Sequence, residues 1–253
     1  MHTPFGIISP LLLFAFLCPG ASLAQPASTQ PLPYPYIELN MGTGLSPRTM
    51  FMPSSNTLWM DFVKPGYCAG INGDLPLFHS HFGLRATLGY YFNSFNMQKY
   101  TGELQSAMAN STVTSVSYGS FAQYSFMAGA FASYTKHKLT FEAFALAGAE
   151  YLYLPNTAIN VVITSPGQAQ YTRTVIYNTY LAFAYGGGIE AAYSLYKNLS
   201  VSLAADCLLA GVSYHSTRYD EYIQNIGYTY YSSGLAQVFM PGIKAALRYS
   251  FGK

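Results

Sequence analysis

An alternation of period two recurs along this chain from Tyr36 to the carboxyl end, and it constrains the fold more than any other feature. It is clearest between His81 and Phe92. Phe82, Leu84, Ala86, Leu88, Tyr90 and Phe92 fall on one side of an extended backbone, with Gly83, Arg85, Thr87, Gly89 and Tyr91 on the other. Successive side chains of a strand point to opposite faces, so the pattern predicts a strand with two unlike surfaces. Ile243, Ala245, Leu247, Tyr249 and Phe251 repeat it against Lys244, Ala246, Arg248 and Ser250. Leu199, Val201, Leu203, Ala205, Cys207 and Leu209 do so against Ser200, Ser202, Ala204, Asp206 and Leu208.

Further strands are predicted at Ile37 to Met41, Ser117 to Tyr134, Leu139 to Tyr153 and Leu181 to Leu195. The pattern is faintest near Lys64 to Asn72, where a strand is placed mainly because the count requires one. Short connections fall at Asn72 to His79, Thr135 to Lys138 and Tyr196 to Asn198, with turn-forming or charged residues. Long ones occupy about Leu45 to Val63, Asn93 to Val116, Leu154 to Val175 and His215 to Gly234. Long and short alternate strictly. That asymmetry belongs to barrels with short periplasmic turns and longer outer loops.

Composition decides what surrounds the strands. Charged residues make up 9% of the chain and aromatics 17%, whereas an ordinary soluble domain carries about 25% charged residues. A water-facing surface, of a sandwich or a soluble lipocalin-like carrier, is hard to build from so few. A helical membrane protein is excluded because no apolar run of about 20 residues follows the amino-terminal segment. Glu38, Arg85, Glu142, Glu150, Glu190, Asp206, Lys244 and Arg248 all stand opposite an apolar row. The apolar rows therefore read as the lipid face and the charged face as the lumen. Tyr90, Phe92, Tyr151 and Tyr153 suit the outer aromatic girdle, and Tyr134, Tyr193, Tyr249 and Phe251 the inner one.

In hydrocarbon no strand edge can leave its N–H and C=O groups unpaired, so the sheet must close. The expected fold is all-β: a closed antiparallel transmembrane β-barrel of about eight strands. Side chains fill an interior of that size, and charges placed there need partners. Glu38 with Arg248, and Asp206 with Lys244, are the pairs expected from their heights. A packed polar plug is expected rather than an ion pathway.

The amino-terminal segment carries an address. Phe5 to Phe16 is an apolar stretch, and small residues at Ser22 and Ala24 place cleavage before Gln25. Residues 1–24 are thus expected to be a secretory signal peptide, 25–33 a proline-containing periplasmic leader and 34–253 the barrel domain. His2 stands where a Lys or Arg is usual. Cys18 raises a lipoprotein signal, but Leu17 is too large for the position before a lipidated cysteine. Cys68 and Cys207 leave one disulfide open and match no zinc spacing. The net charge of +2, from 12 basic and 10 acidic residues, forms no basic stripe, so nucleic acid is not an expected partner.

Over roughly Tyr36 to Lys253 the chain resembles the OmpA/OmpX-like family of eight-stranded outer-membrane barrels. The resemblance rests on strand count, loop asymmetry, charged lumen and the closing Leu247-Arg248-Tyr249-Ser250-Phe251. That stretch is similar to the aromatic-ended last strand by which such barrels are recognised for assembly, although Gly252 and Lys253 follow it. The resemblance implies the bacterial outer membrane. It implies no single activity, since members are adhesins, stabilisers, small pores or lipid-modifying enzymes.

No complete catalytic set emerges. His215, Ser216 and Asp220, with Glu221 nearby, come nearest to the histidine, serine and acid of lipid A-modifying enzymes, against the simpler reading of a solvated loop histidine. His79 and His81, flanking Ser80, make only half a metal site. Gly186-Gly187-Gly188 lacks the Lys and Ser/Thr of a phosphate loop and suits barrel curvature instead. The outer segments, with Tyr222, Tyr228, Tyr230 and Tyr231, suit contact with protein or glycan. The sequence thus predicts a monomeric, non-enzymatic barrel, structural or adhesive, surrounded by outer-membrane lipid and using no cofactor or metal. A narrow pore is the first alternative and a lipid A-modifying enzyme the second.

Overall fold

The computed structural model describes residues 34–46, 48–51, 62–77, 81–107, 111–153, 156–163, 169–176, 179–223 and 226–251. The expected signal peptide and leader lie outside the described residues, as do His79, Ser80, Gly252 and Lys253. The strands are β1 (Tyr36–Gly44), β2 (Arg48–Phe51), β3 (Gly66–Pro76), β4 (Phe82–Asn93), β5 (Ser111–Tyr118), β6 (Phe121–Lys136) and β7 (Leu139–Tyr153). They continue with β8 (Thr157–Ile163), β9 (Ala169–Ile176), β10 (Thr179–Tyr196), β11 (Leu199–Ile223) and β12 (Ile226–Ser250). A single helix among the described residues, α1 (Met97–Ala107), lies between β4 and β5.

Eight strands, in the order β1-β3-β4-β6-β7-β10-β11-β12, form an antiparallel barrel. β12 closes it on β1, with Glu38 opposite Arg248 and Leu39 opposite Leu247. Closure follows from the solvent, because an open edge in hydrocarbon would strand its backbone polar groups. The exterior is apolar: Leu39 is 58% exposed, Phe126 62% and Leu181 74%. The interior holds the charges: Arg85 is 2% exposed and Glu150 0%. This inverts a soluble protein and defines a barrel that spans a bilayer.

Glycines make room for large lumen groups at two places. A Cβ on Gly83 would meet the Phe131 ring at 2.4 Å, and one on Gly188 would meet the Phe144 ring at 2.6 Å. Both rings flank Arg85, whose Cζ lies 5.8 Å from the Phe131 centroid and 4.4 Å from that of Phe144. Gly188 thus does more than ease the curvature expected of the glycine run.

Several boundaries move from their sequence positions. The second barrel strand runs over Gly66–Pro76 instead of Lys64 to Asn72, so the turn after it begins at Leu77. The β6–β7 turn tightens to His137-Lys138, with His137 in the left-handed region at φ 58°. The four long connections are not simple loops. They contain β2, α1, β5, β8 and β9, and the fourth is largely an extension of β11 and β12, which run 25 residues each. A membrane crossing needs only about 9–11. Beyond the barrel, β11 pairs with β9, β9 with β8 and β8 with β5, so the outer segments build a sheet of their own. Its Ile159 and Val161 are buried. Periodicity marked these stretches as polar and irregular because Ser, Thr, Asn and Tyr do not sort cleanly onto two faces.

Among the described residues the two cysteines, Cys68 and Cys207, are free. Cys68 is buried in the lumen row of β3, whereas Cys207 lies in the opposite, lipid-facing row of β11. The wall between them removes the disulfide that the sequence left open.

Candidate functional site

The periplasmic half of the lumen is an ionic layer. Glu142 on β7 stands directly opposite Glu190 on β10, an arrangement that is destabilising unless cations intervene. Two arginines do. The Arg248 fork donates from Nη1 to Glu142 Oε1 at 2.9 Å and from Nη2 to Glu142 Oε2 at 3.0 Å. The same Nη2 donates to Glu190 Oε1, and Nε donates to Glu38 Oε2 at 3.3 Å. Arg85 donates from Nη2 to Asp74 Oδ2 at 2.7 Å and to Glu142 Oε2 at 2.8 Å. It lies 3.2 Å from Glu190 Oε2. The Tyr36 hydroxyl reaches Asp74 and Glu142, each at 2.5 Å, and accepts from Arg85 Nη2 at 2.7 Å. Its ring lies 3.7 Å from Arg248 Cζ. Asn72 and Ser202 donate to the two oxygens of Glu38. Planar guanidinium forks suit this task because each serves several carboxylates at once.

A second ionic group sits further out. Lys244 Nζ donates to Asp206 Oδ2 at 2.5 Å and to the Tyr91 hydroxyl at 2.7 Å.

The outer half is mostly apolar. Phe121, Leu152, Tyr180, Ala210, Val238 and Met240 are buried together, and Val63 of the first outer segment joins the same cluster. The expected polar plug thus shares the lumen with an apolar layer: ionic groups fill the periplasmic half and the level of Lys244 and Asp206, and apolar side chains most of the rest. Glu150 and Gln123 sit within the outer part, each 0% exposed, and their side-chain oxygen and nitrogen atoms find no partner other than one another.

Asp74, Tyr36 and Tyr91 are parts of these networks that the sequence reading did not single out. Asp74 was hidden because the second strand was ended at Asn72. Continuing the alternation of Cys68, Gly70 and Asn72 by one step would have placed it inside.

The remaining candidates lie in the outer extension. His215 and Ser216 fall at the register shift between Tyr214 and Thr217 of β11, and Asp220 stands opposite Thr229 and Thr174. Five positions of extended strand separate His215 from Asp220, roughly 15 Å of backbone. His81 closes the β3–β4 turn, where its carbonyl accepts from the Ser133 amide at 2.7 Å. Among the described residues no group of three or more His, Cys, Asp and Glu side chains is arranged to hold a metal.

On the lipid side an aromatic ladder crosses the outer end of the wall. Tyr67 contacts Tyr90 at 6.4 Å between centroids, Tyr90 contacts Tyr124 at 4.9 Å and Tyr124 contacts Tyr153 at 6.0 Å. Tyr151 lies 5.1 Å from Tyr153. Tyr249 and Phe251 pair at 5.4 Å at the other end. Rings at both interfaces suit a bilayer between them.

A closed eight-stranded wall, apolar outside and charged within, and belted by aromatics, defines an outer-membrane β-barrel of the kind to which the OmpA/OmpX-like proteins belong. Its place is the bacterial outer membrane. No protein-family model matches the sequence, and no curated protein does. Among solved structures, the chain is similar to Neisserial surface protein A at 10% identity, covering 86% of this chain and 97% of that one, with a TM-score of 0.45. It is similar to outer-membrane protease OmpT from Escherichia coli at 12% identity, covering 88% and 100%, with a TM-score of 0.40. Ail, the attachment invasion locus protein of Yersinia pestis, matches at 11% identity over 85% and 99%, with a TM-score of 0.39. At such distances none of their properties passes to this chain.

Proposed function

We propose that the protein is a non-enzymatic, non-conducting barrel that acts through its outer β-structure, as a structural or adhesive element of the cell surface. The observation that carries this reading is the filled lumen. An ionic layer knotted by Arg85 and Arg248 lies beneath an apolar layer of Phe121, Leu152, Tyr180 and Met240. An apolar constriction excludes ions by dewetting, and a bonded ionic layer offers no free charge to carry them. The chain's investment lies outside the membrane instead, where β11 and β12 extend and β5, β8 and β9 add a sheet. That sheet is rich in Ser, Thr, Asn and Tyr, chemistry suited to a protein or glycan surface.

Two measurements test the proposal. Protein reconstituted in a planar bilayer should give no discrete conductance steps; steady steps would return the narrow pore to first place. Replacing residues 157–176, the β8–β9 hairpin, with a short turn should abolish binding to cell-surface protein or glycan arrays and leave heat-dependent gel mobility intact. Equal binding by both forms would remove the outer sheet as the acting surface.

A further inference from the structure

Among the described residues, sorting the charges by exposure leaves the periplasmic rim with one sign only. The acidic side chains nearest that end, Glu38, Asp74, Glu142 and Glu190, are all buried in the lumen and tied to Arg85 and Arg248. On the outside of the same end, Lys136, His137 and Lys138 are exposed at the β6–β7 turn and Lys197 at the β10–β11 turn. Among the described residues no exposed acid lies at this end; exposed Glu103 is in α1, on the far side of the barrel, where it pairs with Lys99. Among the described residues the lysines thus have no protein counter-charge.

The two turns are close together. β7 and β10 are neighbours, and the Ser194 amide of β10 donates to the Lys138 carbonyl at 2.8 Å. Two strand spacings separate the turns, roughly 10 Å. Exposed apolar and aromatic residues adjoin the lysines: Tyr134 and Leu139 beside the first turn, and Leu195 and Tyr196 beside the second. Such residues sit at the headgroup level, and lysine stems reach past them to hold their ammonium groups there.

We propose that this rim is a binding surface for anionic phospholipid headgroups of the periplasmic leaflet, held by Lys136, Lys138 and Lys197. The partner is a phosphodiester and not a cell-wall polymer, because the lysines adjoin the exposed apolar and aromatic residues that end the lipid-facing wall. Each lysine near an anionic membrane surface contributes attraction equivalent to about fivefold in affinity.

The test uses the full-length mature protein in nanodiscs of phosphatidylcholine doped with phosphatidylglycerol, with retained lipid read by native mass spectrometry. The wild-type protein should retain phosphatidylglycerol several-fold over its bulk fraction. The K136Q/K138Q/K197Q variant should fall to parity, and K99Q, altered in α1, should not change. Should the triple variant fail to show folded gel mobility, K197Q and K136Q/K138Q are read separately, each expected to lose part of the preference. A wild-type protein without preference, or a folded triple variant that keeps it, overturns the proposal. Lysine-dependent retention on isolated peptidoglycan with no lipid preference also overturns it, and reassigns the rim to the cell wall.

Discussion

In the periplasmic half of the lumen, Glu38, Asp74, Glu142 and Glu190 share two arginines, and every one of these carboxylates is bonded to a cation. In the outer half, Glu150 and Gln123 are as deeply buried but have no cation beside them and only each other as side-chain partners. Burial alone therefore says little about stability. A buried charge that is paired and hydrogen-bonded costs little to keep and much to disrupt, whereas an unpaired one is a standing cost. Opposite responses to substitution should follow in the two halves.

The largest effect should come from Arg248→Met. It leaves Arg85 as the one cation shared by the facing Glu142 and Glu190 and removes a partner of Glu38, so stability should fall by about 3–5 kcal/mol. Urea unfolding followed by gel mobility would measure it, and a loss within error of zero would break the contrast. Lys244→Met should cost less, about 2–3 kcal/mol, because it frees Asp206 and Tyr91 but no pair of facing carboxylates. Here the double variant Asp206→Asn/Lys244→Met should recover part of the loss, since it removes both charges together. No recovery in that cycle would mean that packing, not pairing, holds this group.

The outer half should respond with the opposite sign. Gln123→Leu/Glu150→Leu should raise stability by about 1–3 kcal/mol, the cost of leaving such groups unsatisfied. A thermal melt in detergent suffices, and a fall in stability would show that these groups have partners in the membrane that the contrast omits. The smallest effect, under about 1 kcal/mol, should be a gain from His137→Gly at the left-handed turn position, outside the lumen altogether. It serves as the baseline for a change that touches neither half.

The wall was legible in the sequence wherever apolar and charged residues alternate without interruption. Ile37 to Met41, His81 to Phe92 and the closing strand fall on the faces their pattern assigns, because lipid on one side and a crowded lumen on the other penalise a one-residue slip at every position. Asp74 escaped because Gly73 and Pro76 dilute the alternation near the end of β3. The outer sheet escaped for another reason: Ser, Thr, Asn and Tyr do not sort by polarity onto two faces, so periodicity fades where β8, β9 and the upper part of β11 pair.

By itself the sequence determined the kind of solvent the chain lives in. Scarce charge and strict alternation leave only a closed sheet in hydrocarbon with its charges inside. Tertiary structure decided which charges meet. Arg85 reaches Asp74, Glu142 and Glu190, and Arg248 reaches Glu38 across the closing seam. Those contacts depend on barrel register, which joins residues far apart in the chain, and on glycines at Gly83 and Gly188 whose purpose appears only when two phenylalanine rings are seen to occupy the space.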